Sequence, residues 1–187
     1  MNHSDHVHLL QNGIPSSGGI WADFGSGAGA FTLALAELIG ANGDIYSVDQ
    51  DQDALREQEQ AMRRKFPSHN VHYIHADFTR PLDLPILDGI VIANALHFQP
   101  HAAKDKSLKR ILDYLHPGGR LIVVEYNVDR GNVWVPYPMS YPTWESIAAR
   151  NGFVMTRLLA TVPSHFLKEI YSALSFKDRK EKLNDQF

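Results

Sequence analysis

The sequence predicts one α/β domain built on a mostly parallel sheet, and three observations carry this. The apolar run Gly19–Phe24 meets glycines at 25, 27 and 29 and passes straight into Ala30–Ile39, whose apolar residues have helical spacing. Strand-like and helix-like runs then alternate as far as Tyr126, the pattern of βαβ units with parallel pairing and right-handed crossovers. Leu87–Ala93 is the most apolar run, as a strand covered on both faces must be. A chain of 187 residues suits a single domain with a sizeable core. It divides into an N-terminal arm or lid at 1–18, a core at 19–176 and a charged tail at 177–187, read as a solvated helix or a frayed end.

Taken in order, the arm carries His3, His6 and His8 in an H-x2-H-x-H spacing. That spacing suits a metal, but solvated histidines are the plainer reading. A third is that the arm closes over the glycine turn, since Leu9, Leu10 and Ile14 give it something to bury. After the first helix, Asn42-Gly43 turn the chain into a second strand, Asp44–Asp49, that ends in an acid. The segment Asp51–Phe66 is a helix with acids early and Arg63-Arg64-Lys65 late, an order that complements the helix dipole, and Pro67 closes it. Val71–Ile74 is the third strand, followed by His75-Ala76-Asp77-Phe78. His69, His72 and His75 do not make a metal cluster there, because positions three apart on a strand face opposite sides.

The fourth strand, Leu87–Ala93, ends in Asn94-Ala95-Leu96-His97-Phe98, and a helix follows from about Ala103 to Leu115 with Leu108, Ile111, Leu112 and Leu115 on one face. His116-Pro117-Gly118-Gly119 stop it before the fifth strand, Arg120–Tyr126. The stretch from Asn127 to Pro142 is long and aromatic for a loop inside a compact domain, which marks it as functional. A helix from Thr143 to Asn151 is stopped by Gly152. Two last apolar runs, 153–162 and 168–176, form a hairpin about Pro163-Ser164-His165.

Composition excludes several classes of function. The net charge of −3 offers no extended basic surface for nucleic acid or anionic membrane. Without cysteine there is no disulfide, thiolate metal site or cysteine nucleophile. The first residues lack the basic-then-apolar order of a secretion signal, and no apolar run approaches the ~18 residues of a membrane helix, so a cytoplasmic monomer or homodimer is expected.

The glycine turn is the chemical focus. Glycine takes positive φ and lets a ligand lie against bare backbone, while the new helix turns unpaired N–H groups toward a carboxylate or phosphate. The pattern alone is ambiguous, because Gly25-x-Gly27-x-x-Ala30 also passes for a dinucleotide fingerprint.

Four pieces in order narrow it: Asp23-x-Gly25-x-Gly27-x-Gly29, the acid Asp49 ending the second strand, Ala76-Asp77 after the third, and Pro117-Gly118-Gly119 before the fifth. Together they resemble the class I S-adenosylmethionine-dependent methyltransferases over about residues 18–176. The resemblance implies a Rossmann-like three-layer sandwich with a seven-stranded sheet, only its last strand antiparallel, and a ligand across the carboxyl ends of strands one to four. It implies that Asp23, Gly25, Gly27 and Gly29 cradle the methionine part of S-adenosylmethionine and that Asp49, followed by Gln50, binds the ribose hydroxyls. Asp77 and Phe78 then meet the adenine, and Asn94 the methionine end. The product is S-adenosylhomocysteine and no metal is required. One departure matters: Asn94-Ala95-Leu96-His97 replaces the Asn/Asp-Pro-Pro-aromatic of many amino-group methylases of nucleic acid bases, so the likeness is to the branch acting on small molecules, lipids or quinones.

Methyl transfer needs in-line attack and no covalent enzyme intermediate, so alignment supplies much of the catalysis, up to ~7–11 kcal/mol in oriented systems. A base is needed only for a protonated acceptor. His97, three residues after Asn94, is the candidate, with His101, Glu125 and Tyr126 behind it; a polar residue at a helix entrance is the plainer reading of His97. Glu125, Tyr126, Trp134, Tyr137, Met139 and Tyr141 are the candidates for lining the acceptor pocket. Two other classes stay open: a nicotinamide-dependent oxidoreductase, against which Gly29 falls one residue early and no Tyr-x3-Lys pair occurs, and a catalytically silent cofactor-binding module.

Overall fold

The computed structural model describes residues 1–179. Seven strands form one sheet in the order β3-β2-β1-β4-β5-β7-β6. They are β1 (Gly19–Phe24), β2 (Gly43–Asp49), β3 (Asn70–His75), β4 (Leu87–Ala93), β5 (Leu115–Tyr126), β6 (Phe153–Ser164) and β7 (Lys168–Lys177). The first five pair in parallel, while β7 runs antiparallel to both β5 and β6. Strand order therefore reverses at β1, which lies between β2 and β4, and an open sheet leaves a crevice at the carboxyl end of such a point.

Among the described residues five α-helices cover the two faces: α1 (His3–Gln11), α2 (Ala30–Ile39), α3 (Gln52–Lys65), α4 (His101–Tyr114) and α5 (Tyr141–Arg150). The side-chain alternation of a strand divides the core in two. Leu121 and Val123 of β5 join Phe24, Ile90 and Ile92 under Leu108 and Ile111 of α4 and Trp144 and Ile147 of α5. Ile122 and Val124 face the other way, with Trp21, Ile45 and Val91, under Leu9 and Leu10 of α1, Leu35 and Ile39 of α2 and Met62 of α3.

The structure departs from the sequence expectation at several boundaries. The N-terminal arm is a helix, closed by a capping box in which Asn2 and Asp5 exchange hydrogen bonds of 3.0 and 2.8 Å. It packs beside α2 on the sheet face, with Leu9 and Leu10 fully buried, and not across the glycine turn. Its polar composition hides a helix whose support is tertiary. The histidines separate accordingly: His3 pairs with Glu37 at 2.8 Å, His6 packs on Phe31, and His8 meets Gln11. β5 begins at Leu115 and not at Arg120. Leu87 pairs with Leu115 and Gly89 with Arg120, so the Pro-Gly-Gly segment bulges out of a strand that has already started, Gly118 at φ 83°. α4 and α5 each begin two residues early, α5 with Pro142 in its first turn, where a missing N–H costs nothing. A short 3₁₀ turn, Leu96–Phe98, follows β4. Of the tail expected at 177–187, residues 180–187 lie outside the described residues. Among the described residues no helix is long and apolar enough to cross a membrane.

Candidate functional site

At the carboxyl ends of β1, β2 and β4 lies a cavity of about 390 Å³. Six residues singled out from the sequence line it: Gly25, Gly27, Asp49, Gln50, Phe78 and Asn94. Thr79, Ala95, Phe98 and Gln99 line it too, and sequence reasoning missed them. Thr79 and Ala95 directly follow Phe78 and Asn94, and that adjacency was the available signal.

The turn is laid over the end of β2 by bonds from the N–H groups of Gly25 and Ser26 to the Val48 carbonyl, 2.8 and 3.2 Å. Its three glycines serve three purposes. A Cβ on Gly25 would come within 2.6 Å of the Ala95 methyl, and one on Gly29 within 2.3 Å of Gln58. On Gly27 it would meet nothing within 4 Å and would project into open space. All three have positive φ, from 52° to 88°. The Gly27 N–H donates to Asp49 Oδ2 at 2.7 Å, and the Asp51 N–H to Asp49 Oδ1 at 2.8 Å, so the carboxylate is fixed while each oxygen keeps a lone pair free. Beneath the turn, Ser26, Ser47 and Gln58 form a buried hydrogen-bonded set.

Asp23 lies under the turn, 1% exposed. Thr32 Oγ1 donates to its Oδ2 at 2.6 Å, and Oδ1 is buried with no partner among the described residues. Burial, with a smaller contribution from Asp49, pushes its carboxyl up to about 7. Asn94 is held in the left-handed region, φ 51°; its N–H donates to the Val124 carbonyl at 2.9 Å and its Oδ1 is likewise buried and unpaired. Asp77 does not line the cavity: its Oδ1 accepts from the Thr79 N–H at 2.8 Å, while Phe78 stacks on Phe24.

Beyond Asn94, His97 and Glu125 form a pair that no sequence signal joined, being 28 residues apart on different strands' ends. Both are buried: the His97 N–H donates to Glu125 Oε1 at 3.1 Å and Nδ1 lies 2.8 Å from Oε2. Phe98 and Tyr126 flank the imidazole, ring centroids 4.3 and 6.0 Å away, and Phe166 at the β6–β7 turn packs on Tyr126. Lys104, fully buried on α4, donates to the carbonyls of Gln99 and Tyr137, 2.8 Å each, and the Tyr137 N–H donates to the His97 carbonyl at 3.0 Å. The aromatic loop, 127–140, is thereby tied to the 3₁₀ turn. Desolvation lowers the Lys104 ammonium to about 8. The remaining loop candidates scatter. Trp134 is exposed, Met139 lies in the core, Tyr141 packs edge-on against Tyr171, and His101 lies against Tyr137. His69, His72 and His75 go to the Ala36 carbonyl, the Tyr46 ring and the Gln50 carbonyl, and no three metal-ligating side chains converge among the described residues.

Residues 15–173 match the family model described as a methyltransferase domain. The chain belongs to that family. This removes the dinucleotide reading of the glycine turn and agrees with the class I resemblance drawn from the motifs. Among curated proteins, the domain is similar to the ubiquinone/menaquinone biosynthesis C-methyltransferase UbiE of Wigglesworthia glossinidia brevipalpis, 30% identical over 106 residues, 56% of this chain and 42% of that protein. The UbiE of Pasteurella multocida is 31% identical over 107 residues, 56% and 39% of the two chains. The chain thus spans about two fifths of the length of these relatives. Among solved structures, magnesium protoporphyrin IX methyltransferase of Synechocystis PCC 6803 superposes with a TM-score of 0.69 at 17% identity, over 94% of this chain and 77% of that one. The Burkholderia thailandensis 1,6-didemethyltoxoflavin-N1-methyltransferase gives 0.74 at 17%, over 94% and 78%. These share the methyltransferase fold, with its single antiparallel strand β7.

Proposed function

We propose that the protein transfers a methyl group from S-adenosylmethionine to a small, flat, hydroxyl-bearing acceptor. The observation that carries the reading is one cavity bordered by a fixed carboxylate, Asp49, by the bare backbone of Gly27 and by Phe98, which packs on His97 of the buried His97–Glu125 pair. The site's own loose ends fit the cofactor. Asp23 Oδ1 and Asn94 Oδ1 are buried acceptors without donors, and the methionine end carries an ammonium group that supplies them. Asp49 keeps lone pairs for two ribose hydroxyls. Phe78 borders the adenine position; Asp77, outside the cavity lining and bonded to the Thr79 N–H, would accept from the amino group only after turning inward. When bound, the cofactor supplies a methyl group on a sulfonium, activated for in-line displacement.

On the acceptor side, the Nδ1–H···Glu125 bond fixes the imidazole orientation and leaves Nε2 as the basic nitrogen, so His97 can take a proton from a hydroxyl. Phe98, Tyr126 and Phe166 favour a planar apolar body. The names of the similar proteins, for quinone, porphyrin and toxoflavin substrates, all point to conjugated rings and support that class.

Isothermal titration calorimetry tests the cofactor half. S-adenosylhomocysteine is expected to bind with a Kd on the order of 1 μM, and Asp49→Ala to cost about 2–4 kcal/mol by removing two charge-assisted bonds. Absence of binding by both S-adenosylmethionine and its product would sink the reading. The acceptor half is tested with a panel of phenols and hydroxyquinones. Glu125→Gln is expected to lower turnover roughly 10²-fold while leaving product affinity unchanged. Binding without methylation of any acceptor would instead favour a silent module.

A further inference from the structure

At the opposite edge of the sheet, where β1, β4 and β5 begin, the segment 15–19 borders a second cleft of about 320 Å³. We propose that this cleft binds a small oxyanion, of the phosphate type, with Arg120 as its principal ligand. It lies on the far side of the sheet from the candidate methyl-transfer site and does not depend on that site's chemistry.

Arg120 is held in place before any ligand arrives. Its Nη1 donates to the Gly13 carbonyl at 3.1 Å and its guanidinium lies 5.1 Å over the Phe176 ring. Yet its charge is uncompensated: no carboxylate lies within 4 Å of it among the described residues. Burial and the neighbouring Arg157 both oppose that charge. A partly desolvated cation beside a second cation calls for an anion.

The acid bordering the cleft does not supply it. Asp88 is spent on other donors, its Oδ2 on the Ile20 N–H at 2.7 Å and its Oδ1 on His116 Nε2 at 3.1 Å. The rest of the wall is rich in donors. Arg179, Ser16 and Ser17 border the cleft. The Trp21 indole nitrogen lies close to the backbone bend, since a Cβ on Gly19 would be 3.2 Å from it. Gly18 and Gly19, φ 86° and 89°, make the sharp bend that lets the backbone pass this near. Fixed guanidinium and N–H donors with few acceptors select an acceptor-only group, and the guanidinium fork matches the geometry of phosphate.

The test is a ¹H–¹⁵N NMR titration with inorganic phosphate at constant ionic strength, following the indole N–H of Trp21 against those of Trp134 and Trp144. Phosphate is expected to shift the Trp21 signal saturably. Arg120→Gln should weaken binding roughly tenfold, the loss of one charge-assisted contact, with S-adenosylhomocysteine affinity unchanged. Because Arg120 also anchors Gly13, the exposed Arg179→Gln is the second variant; it should weaken phosphate a few-fold with the spectrum otherwise native. A Trp21 signal that does not respond, or responds no differently with chloride, overturns the proposal. So do two folded variants that titrate like the parent protein.

Discussion

A carboxyl group buried with one oxygen unpaired is costly to ionise, and Asp23 is in that position. Its folded value near 7 stands above the unfolded value near 4. The native state therefore holds a proton that the unfolded chain has released, and the sign follows: the stabilising contribution is complete below about pH 4 and is lost as pH rises through about 7. Ligand-free protein should lose roughly 2–4 kcal/mol across that window relative to Asp23→Asn, measured by denaturant unfolding at each pH. If the ammonium of the proposed cofactor sits against Oδ1, binding at pH 6 will expel that proton, visible by calorimetry in buffers of different ionisation enthalpy. An equal proton release from Asp23→Asn would refute the link. The sequence marked Asp23 as part of a glycine turn. Its burial could not be read there, because it depends on Thr32 and on the neighbouring strands.

At the scale of elements, the turn between β1 and α2 allows two similar substitutions with different outcomes. Gly27→Ala should cost about 1–2 kcal/mol of stability, the strain of a side chain in the left-handed region alone, because its Cβ meets only open space, but should sharply weaken S-adenosylhomocysteine binding. Gly29→Ala meets Gln58 and should cost about 1–3 kcal/mol of stability. Thermal melts with and without ligand separate the two, and equal losses of stability would contradict the division of roles. Elements of this kind were legible because strand, turn and helix are neighbours in the chain. The wall opposite was not. His97 meets Glu125, and Lys104 meets Tyr137, only after β4, α4 and β5 have been brought together, and the lysine looks like any surface cation in the sequence. Helix α1 escaped notice for a related reason, since its apolar side is two leucines that matter only once α2 is beside them.

For the molecule as a whole, the alternation of βα units predicted the parallel sheet, because a crossover geometry leaves few choices, while the antiparallel final strand was implied by the resemblance to the methyltransferases. The placement of α1 was open to tertiary packing, and it makes a prediction. Leu10→Ala, removing a side chain buried between α1 and the sheet, should destabilise by about 2–4 kcal/mol in urea unfolding while leaving ligand affinity intact, since the cavity is lined from other elements. A matching loss of affinity would mean that α1 supports the site directly.

The reversal of strand order at β1 also divides labour along the chain. Asp23, the glycine turn, Asp49 and Phe78 all come from the part before β4, whereas His97, Glu125, Tyr126 and Phe166 come after it. The two sets meet across the paired strands β1 and β4. On the proposed reading, substitutions at His97, Tyr126 or Phe166 would change the acceptor preference while leaving the Asp49 end of the cavity in place. The two halves are also joined through the core, where Phe24 packs on Tyr114, and at the glycine turn, where a side chain on Gly25 would run into Ala95.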